Sequence, residues 1–390
     1  MKIAFFTDTY YPEINGVTNT LRHLHDYLDN HGIEHIFFAP DYEFDMKQDR
    51  IAEKRYLCRF KGVQFPFSPN SRIMIPLAHY IEIRNRLLKF QPDVIHIVTE
   101  FTIGNEGLRL AKETKLPLVM SYHTNIEQYL TYFHAKFIEK PVRAYFQHFH
   151  SFADLNLCPS RQTFLQLQKQ SYHNLAIWTR GVDTKLYSPD KRLGRWRHRL
   201  GEDKFLCLYV GRLSYEKGLG DYLEAIHRIN QILPNNPFLF VFAGDGPYRE
   251  VIEKAGVDNI CLTGFVKGEE LAQLYADSDL FVFPSGTETF GNVLLEAMAS
   301  GLPCICTDTG GVTDFAEDGR NACVYPYQNV QVLVDKILSL HSNMFLREKI
   351  ISGAKRTVME RQWDRVMDEL MESYEYVLAL YKSNENKIPS

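Results

Sequence analysis

The chain alternates short apolar runs with helical patterns, and this alternation starts a second time near the middle. The runs carry few charges, which is typical of parallel strands buried on both faces. The first series of predicted strands is Ile3–Phe6, Ile36–Ala39, Val94–Val98, Leu116–Met120 and Leu155–Leu157, and the second is Phe205–Val210, Phe238–Ala243, Ile260–Thr263, Leu280–Phe283 and Pro303–Cys306. Strands that alternate with helices favour doubly wound sheets. We therefore predict an α/β chain of two Rossmann-like domains that face each other across a cleft.

The length of 390 residues supports this division, because single cores stop growing near roughly 250–300 residues. The break between the series lies near Gly181-Val182-Asp183, before Tyr187-Ser188-Pro189-Asp190. An amphipathic helical stretch from Trp363 to about Tyr381 follows the second series. Sheets of this kind bind ligands in crevices outside the carboxyl ends of their strands. We therefore expect the functional residues in the loops that follow the strands.

Composition excludes several classes of protein. An apolar fraction of 45% and a charged fraction of 24% exclude disorder as the main state. The seven cysteines include no C-x-x-C pair, which argues against a disulfide framework or a zinc site. No stretch approaches the roughly 18 apolar residues of a membrane span, and Lys2–Asp8 is typical of a strand rather than a signal peptide. We expect a cytoplasmic protein with no metal ion, no cofactor and no nucleic-acid partner.

Charge is distributed unevenly along the chain. Residues 1–180 carry a net charge of +3 and residues 181–390 a net charge of −7. An anionic surface or acceptor would meet the first half more readily. Ordinary solvated side chains explain a difference of this size equally well.

Two stretches of the first half combine aromatic residues with cations. Leu77–Phe90 places apolar residues at helical spacing, and Tyr129–Phe152 interleaves aromatic residues with cations. The cations are Arg84, Arg86 and Lys89 in the first stretch and Lys136, Lys140 and Arg143 in the second. Basic amphipathic segments lie on anionic membranes. The other explanation, which we favour slightly, is aromatic core residues beneath a solvated face.

Two cations lie in the loop after the first strand of the second series, in Gly211-Arg-Leu-Ser-Tyr-Glu-Lys-Gly218. The planar guanidinium of Arg212 matches phosphate oxygens, and Lys217 adds a point charge. Together they would hold a diphosphate. A solvated loop with glycine caps is an equally good explanation on spacing alone.

The most informative run is Gly286–Pro303. Glu288 lies in a loop after a strand, and Gly291 lets the backbone approach a ligand closely. The free N–H groups of residues 290–293 then open a helix whose dipole favours anions. Glu296 lies about one turn further along the helix. Loop and helix thus offer an anion site flanked by two carboxylates, which accept hydrogen bonds from sugar hydroxyls; capping acids at an ordinary helix start are the alternative.

Three further signals are weaker. Gly244-Asp245-Gly246-Pro247 looks like half of a dinucleotide-binding motif, but Arg249 replaces the third glycine, so a tight strand-to-helix turn is the better interpretation. Asn15-Gly16-Val17 opens the first helix, where it either approaches a phosphate or forms an ordinary cap. His123 ends a strand run, where it either contacts a substrate hydroxyl or simply packs.

Taken together, these residues resemble the retaining nucleotide-sugar glycosyltransferases of family four, whose two-domain architecture is called GT-B. Glu288-Thr-Phe-Gly-Asn-Val-Leu-Leu-Glu296 matches the family's E-x7-E signature, and Gly264-Phe265-Val266 supports it. Ser121–Asn125 and Trp178–Thr184 are most similar to a subgroup that includes bacterial mannosyl- and glucosyltransferases of membrane glycolipids and the sulfoquinovosyl diacylglycerol synthases. The resemblance implies an acceptor-side domain of residues 1–180, completed by the helix of residues 365–390, and a donor-binding domain of residues 181–364.

The resemblance also implies individual roles. The residues concerned are Arg212, Lys217 and Gly16 for the donor diphosphate; Glu296 for the ribose; the backbone of Val266 for the base; and Glu288, the backbone of Phe290, Gly291, Asn292 and Val293, and His123 for the transferred sugar. Glu288 and His123 are the implied catalytic residues. One departure is visible, because many relatives have Gly-Gly where this chain has Asn15-Gly16.

The implied reaction is metal-independent transfer of a hexose from a UDP- or GDP-linked sugar to a hydroxyl of a lipid or lipid-linked acceptor, in cell-envelope glycolipid synthesis. No side chain is an evident nucleophile, so we favour front-face attack with retention at the anomeric carbon. The alternatives are a soluble acceptor or nascent polysaccharide, and a GT-B-like sugar-nucleotide epimerase. A cytoplasmic location with peripheral contact between the N-terminal domain and an anionic membrane is the matching expectation.

Overall fold

The computed structural model describes residues 1–13, 15–42, 56–64, 74–76, 79–123, 139–233 and 237–385. It divides into two compact units, each with its own parallel sheet. Unit 1 comprises Met1–Thr179 and Val366–Ser390, and unit 2 comprises Arg180–Arg365.

Unit 1 alternates strands and helices along the chain. Its strands are β1 (Lys2–Phe6), β2 (Glu34–Pro40), β3 (Leu57–Phe60), β4 (Gly62–Gln64), β5 (Met74–Pro76), β6 (Val94–Ile97), β7 (Leu118–Ser121), β8 (Leu155–Cys158) and β9 (Leu175–Ile177). Its helices are α1 (Gly16–Asn30), α2 (Tyr80–Phe90), α3 (Thr102–Thr114), α4 (Glu139–His150) and α5 (Arg161–Lys169).

Unit 2 repeats the pattern. Its helices are α6 (Arg195–Leu200), α7 (Leu219–Ile232), α8 (Arg249–Lys254), α9 (Gly268–Asp277), α10 (Asn292–Ala299), α11 (Val330–Ser342) and α12 (Met344–Glu360), and α13 (Trp363–Glu385) begins there and continues into unit 1. Its strands are β10 (Phe205–Val210), β11 (Phe238–Ala243), β12 (Ile260–Gly264), β13 (Leu280–Phe283), β14 (Cys304–Thr307) and β15 (Cys323–Tyr325).

The sheet of unit 1 has the strand order β3-β2-β1-β6-β7-β8-β9, with every neighbouring pair parallel. Ile3 of the central strand pairs with His35 on one side and with Val94 on the other. The chain therefore builds outward from β1 in both directions, and the point where the order reverses lies between β1 and β6. Such switch points are where open α/β sheets bind ligands.

The C-terminal helix α13 packs on unit 1 through polar contacts as well as apolar ones. The buried ring of His96 lies 2.6 Å through Nδ1 from the Tyr374 hydroxyl and 2.7 Å through Nε2 from Ser121 Oγ. Tyr27 donates a 2.5 Å hydrogen bond to Asp368. Buried polar groups need such partners, so these bonds fix the helix on strands β6 and β7 and on helix α1.

The sheet of unit 2 has the order β12-β11-β10-β13-β14-β15, again with parallel neighbours. Alternate residues of β14 enter different cores, since Cys304 and Cys306 lie in one apolar cluster and Ile305 in the other. The thiols of Cys304 and Cys306 therefore share one face of the strand. The switch point of unit 2 lies between β10 and β13. The predicted pair of Rossmann-like sheets is confirmed.

Among the described residues, no helix combines the length and the apolar character needed to cross a bilayer. In α2, Ile83 and Leu87 are fully buried, and Tyr80 and Phe90 pack against the same core. Arg84 and Arg86 are paired with glutamates. The described part of the predicted apolar stripe, within Tyr80–Phe90, is therefore core, as the favoured alternative has it. In the second stretch, residues 124–138 lie outside the described residues, and Phe146 and Phe149 are buried.

Candidate active site

The two loops at the switch point of unit 2 are tied together by their side chains. One loop follows β10 and carries Lys217, and the other follows β13 and carries Glu288. Lys217 Nζ lies 2.5 Å from Glu288 Oε1. Thr287 Oγ1 donates to the backbone carbonyl of Glu216 at 3.3 Å. The predicted diphosphate loop and the predicted sugar loop are therefore neighbours in the structure.

Two glycines allow the loop that carries Glu288 to be enclosed on both sides. A Cβ at Gly218 would lie 2.2 Å from the carbonyl oxygen of Pro284, and a Cβ at Gly311 would lie 2.1 Å from that of Thr289. The amide of Gly311 donates to the Glu288 carbonyl at 2.7 Å. Since no side chain fits at either position, the loops after β10 and β14 hold the Glu288 loop from its two flanks.

Helix α10 begins without a side-chain cap within the described chain. Its N-cap residue is Gly291, which has the left-handed conformation with φ 99° and ψ 51°. A Cβ at this position would approach Val312 Cγ1 to 2.6 Å, so glycine is required for both conformation and space. The first N–H groups of a helix have no intrahelical acceptor. At α10 these groups are available to an anion.

Glu296 extends from the second turn of α10 into partly buried surroundings. Its Oε2 accepts a hydrogen bond from the Tyr275 hydroxyl at 3.1 Å, and Tyr187 also hydrogen-bonds the carboxylate. Burial raises the pKa of Glu296 to about 7, while the hydrogen bonds from the two tyrosines act in the opposite direction. The carboxyl is therefore poised to change its charge near neutral pH.

The remaining residues of the E-x7-E run offer backbone and amide groups. The ring of Phe290 is buried against Phe315, with ring centroids 5.3 Å apart, so its backbone is what a ligand can meet. Asn292 Oδ1 is buried and has no hydrogen-bond partner within the described residues, and Ser285 Oγ is in the same state. Val293 is half-buried. Unsatisfied buried acceptors of this kind are expected where a ligand donates.

Arg212 and Val266 lie in separate loops of the same unit. Arg212 is exposed in the loop after β10, whose backbone is fixed by a 3.0 Å hydrogen bond from the Tyr209 hydroxyl to the Arg212 carbonyl. Val266 follows β12, the edge strand two places from β10, and packs its side chain against a core cluster. The structure therefore places Lys217, Glu288 and the start of α10 together, with Arg212 in the loop of Lys217.

The Gly244-Asp245-Gly246 turn is a packing feature. A Cβ at Gly244 would lie 1.9 Å from the Gly211 carbonyl oxygen, and one at Gly246 would lie 2.3 Å from that of Leu213. The Asp245 carbonyl accepts from the Leu213 amide at 2.9 Å. The prediction of a tight strand-to-helix turn is confirmed, and its glycines position the loop that carries Arg212 and Lys217.

Gly16 and His123 belong to unit 1. The Asn15 side chain accepts hydrogen bonds from the amides of Val17 and Thr18, and the Asn15 amide donates to Thr18 Oγ1 at 2.9 Å. The helix start at the exposed Gly16 is thus an intact capping box. His123 follows β7 and is half-buried, with its ring centroid 6.0 Å from that of Trp178.

Sequence reasoning missed three residues that shape these sites. Asp8 is buried and caps α3, with bonds to Ile103 N at 2.7 Å and Thr102 Oγ1 at 2.8 Å. Tyr275 and Tyr187 hold Glu296. Asp8 follows a predicted strand and was a recognisable signal, whereas Tyr275 is one apolar position in a helix and has no sequence signature. Within the described ranges, no group of three or more His, Cys, Asp or Glu residues is arranged to hold a metal ion.

Comparison with protein families covers both halves of the chain. The sequence model described as Glycosyltransferase Family 4 matches residues 14–186. The model described as Glycosyl transferases group 1 matches residues 190–357.

Two curated relatives are each 30% identical. One is the sulfoquinovosyl transferase SQD2 of Arabidopsis thaliana, over 99% of this chain and 76% of the relative. The other is a GDP-mannose-dependent alpha-mannosyltransferase of Mycobacterium tuberculosis, over 97% of each chain. An alpha-monoglucosyldiacylglycerol synthase of Acholeplasma laidlawii is 26% identical over 88% of this chain and 89% of the relative.

Solved structures agree on the fold. Sucrose-phosphate synthase from Thermosynechococcus elongatus superposes with a TM-score of 0.77 at 19% identity, over 97% of this chain and 99% of that chain. Anabaena HepE in complex with UDP and glucose superposes with a TM-score of 0.73 at 20% identity, over 96% and 99%. The chain therefore belongs to the family-four glycosyltransferases and is a hexosyltransferase of the GT-B fold.

Proposed function

We propose that this chain transfers a hexose from a UDP- or GDP-linked sugar to a hydroxyl of a lipid or lipid-linked acceptor, with retention at the anomeric carbon. The observation that carries the proposal is the start of α10, which no side chain of the described residues caps, beside the Lys217–Glu288 pair. A nucleoside diphosphate sugar supplies the anion for the amides and the hydroxyls for the carboxylate. Relatives named for GDP-mannose, sulfoquinovosyl transfer and glucosyldiacylglycerol support the donor and acceptor classes.

Unit 2 is the donor-binding domain in this proposal. Arg212 and Lys217 bind the diphosphate, since a guanidinium fork and an ammonium group both donate to phosphate oxygens. An ammonium group has three N–H bonds, so one side chain serves both Glu288 and a phosphate oxygen. Glu296 holds the ribose, and the backbone of Val266 contacts the base.

The hexose is assigned to Glu288 and to the backbone of residues 290–293. The buried Asn292 Oδ1, which has no partner among the described residues, suits a sugar hydroxyl as donor. Unit 1 is the acceptor-side domain and contributes two contacts to the donor. His123 contacts the hexose, and Gly16 approaches the diphosphate through its backbone.

The chemical step needs little covalent chemistry from the protein. The acceptor hydroxyl oxygen bonds to the anomeric carbon on the face that the diphosphate leaves, and the carbon–oxygen bond to the diphosphate breaks. The acceptor's proton passes to the leaving diphosphate, so the products are the glycoside and the nucleoside diphosphate. Arg212, Lys217 and the start of α10 stabilise the charge that develops on the leaving group.

The acceptor brings the protein to the inner face of the membrane in this proposal. On α2 of unit 1, the side chains of Ile81 and Leu88 are 73% and 44% exposed. Arg84 and Arg86 lie on the same helix. Exposed apolar residues beside cations suit peripheral binding to anionic lipid.

The test measures sugar transfer with UDP-glucose and GDP-mannose, with diacylglycerol in anionic vesicles or without lipid. We expect transfer to lipid, unchanged by EDTA, and a product with the donor's anomeric configuration. Lys217→Met and Glu288→Gln should each reduce turnover at least about 100-fold, because each removes a charged contact to the reacting group.

The matched control is the exposed Lys254–Glu250 pair of unit 2, with its 2.6 Å contact. Lys254→Met and Glu250→Gln should leave turnover unchanged. Products formed equally well without lipid would replace the lipid acceptor with a soluble one or a polysaccharide. An altered nucleotide sugar with no transfer product would indicate an epimerase, and full activity of both site variants would refute the assigned site.

A further inference from the structure

Two tyrosine hydroxyls converge on the Glu296 carboxylate. Tyr275 has no exposed surface, and its hydroxyl lies 3.1 Å from Glu296 Oε2 and 3.3 Å from the Val293 carbonyl oxygen. Tyr187 hydrogen-bonds the same carboxylate. The two tyrosine rings pack edge to face, with centroids 5.7 Å apart and planes at 87°. Neither residue has a role in the motif that contains Glu296.

Both tyrosines are held by the elements that carry them. Tyr275 lies on α9, whose inward face is part of the core of unit 2. Tyr187 ends a short turn in which its amide donates to the Asp183 carbonyl at 2.9 Å, while Asp183 Oδ1 accepts from the amides of Lys185 and Leu186. The hydroxyls therefore reach Glu296 from two separate and locally ordered segments.

The electrostatics of the site make these hydroxyls hydrogen-bond donors. Burial raises the pKa of the Tyr275 phenol well above its usual value of 10, so the phenol remains protonated. Burial also raises the pKa of Glu296, and the two tyrosine hydrogen bonds oppose that rise. A donor favours the ionised carboxylate that accepts from it.

Among the described residues, the pKa of Glu296 is shifted by burial and by the two tyrosine hydroxyls, and not by a charged side chain of the other elements packed against α10. These elements contribute core side chains from β13, β14 and α12, namely Phe281, Cys304, Ala354 and Val358. Cys304 is the titratable member of this set, and burial raises the pKa of its thiol well above the usual value of 9. Burial is thus the larger influence on the pKa of Glu296, and the two tyrosine hydroxyls are the groups that oppose it and hold the carboxyl in place.

We propose that Tyr275 and Tyr187 are positioning residues that fix the Glu296 carboxylate as the acceptor for the ribose hydroxyls of the donor. This rests on the proposed function, in which Glu296 holds the ribose. A carboxylate accepts from both hydroxyls of a vicinal diol, whereas its protonated form offers fewer acceptor sites. The tyrosine hydroxyls then affect donor affinity indirectly, because they shift the protonation of Glu296 and do not themselves contact the ribose.

The experiment is calorimetric titration with UDP-glucose and GDP-mannose between pH 6 and pH 9, since both phosphates of a nucleotide sugar stay ionised over this range. For the wild-type protein we expect the Kd of the donor that binds to rise severalfold between pH 8 and pH 6. In Tyr275→Phe and Tyr187→Phe the midpoint of that rise should move to higher pH, with Kd near pH 7 raised severalfold. Glu296→Gln should show no pH dependence in this range.

The matched control is Tyr222→Phe, because Tyr222 is equally buried and its hydroxyl has no hydrogen-bond partner among the described residues. It should keep the wild-type midpoint. A second measurement without ligand is the carboxyl ¹³C titration of Glu296, assigned with Glu296→Gln, which should move upward in both tyrosine variants.

The possible results distinguish the positioning role of the two tyrosines from the proposed binding of a nucleotide sugar. Wild-type binding with an unchanged midpoint in Tyr275→Phe and Tyr187→Phe, each folded by circular dichroism, would overturn the positioning role and leave the donor class intact. Binding that does not respond to Glu296→Gln would remove the ribose assignment. Failure of the wild-type protein to bind either nucleotide sugar would overturn the proposed function itself, and the inference with it.

Discussion

Each unit has two helices that follow the two strands at its switch point, but the first turns of these helices are completed differently. In unit 1 the side chains of Asn15 and Asp8 accept the amides at the starts of α1 and α3. In unit 2, α7 and α10 begin on Gly218 and Gly291, both left-handed, and no side chain of the described residues caps them.

The difference teaches where an anionic ligand is expected. A helix start whose amides are bound by the chain's own oxygen atoms gains stability, and those amides are no longer available. A helix start without a cap forgoes that gain and keeps its amides for phosphate or sugar oxygens. In unit 1 the chain's own side chains bind the amides of Val17 and Thr18 in α1 and of Ile103 in α3. In unit 2 the start of α10 keeps its amides for a ligand, beside Lys217 and Glu288.

The largest expected effect concerns unit 1, where side chains of the protein cap the helix starts. Asp8→Ala removes a buried carboxylate that accepts from five groups around the start of α3. We expect the free energy of unfolding to fall by about 3 kcal/mol, because buried amides lose charged acceptors. Urea denaturation followed by circular dichroism measures the change, with the exposed Asp26→Ala as control. A loss below about 1 kcal/mol would show that the cap is not a main source of stability.

The next largest effect concerns the start of α10 in unit 2. Gly291→Ala places a Cβ against Val312 at 2.6 Å and disfavours φ 99°, so the start of α10 must move. We expect turnover to fall about 100-fold, close to 2.7 kcal/mol of transition-state stabilisation. Gly256→Ala is the control, since this glycine also has positive φ, +63°, but nothing within 4 Å of the added Cβ. Equal turnover in the two variants would show that the helix start does not contact the reacting groups.

The smallest effect concerns the folding free energy that is lost by burying the Glu296 carboxyl in unit 2. Glu296 titrates near 4.5 in an unfolded chain and at about 7 in the folded protein. Between these values the folded state binds more protons, so stability falls as pH rises through this window and the penalty is complete above pH 7. The full difference between these pKa values corresponds to about 3 kcal/mol. Because Glu296 is only partly buried and solvent screens part of this effect, Glu296→Gln should remove a penalty of about 2 kcal/mol at pH 8 and little at pH 4.5. Thermal unfolding at both pH values measures this, and an equal change in Tm at each would contradict it.

The sequence predicted the central strands well and the edges poorly. Runs such as Phe205–Val210 and Leu280–Phe283 match the structure residue for residue. Strands buried on both faces are uniformly apolar, and that signal is local. The short edge strands β3, β9 and β15 were not predicted, because three or four residues such as Leu175–Ile177 are strands only through their neighbour in the sheet.

In the candidate site too, features encoded by adjacent residues were predicted and contacts between distant segments were not. Glu288, Gly291 and Glu296 were recognised because they lie within nine residues of one another and form a signature. The contact between Lys217 and Glu288 joins residues 71 positions apart, and only the pairing of β10 with β13 brings their loops together. Tyr187 and Tyr275 reach Glu296 from distant segments, so no local pattern marks them.

The sequence by itself determined the two parallel sheets, the loops that carry the chemistry and the family, because each is encoded in short runs of adjacent residues. The tertiary structure decided which helix starts are closed and which are open, and which side chains set the charge of Glu296. Those properties depend on oxygen atoms that arrive from other loops and helices. The order of the strands in each sheet decides which loops and helices lie side by side, and the periodicity of the sequence carries no information about that order.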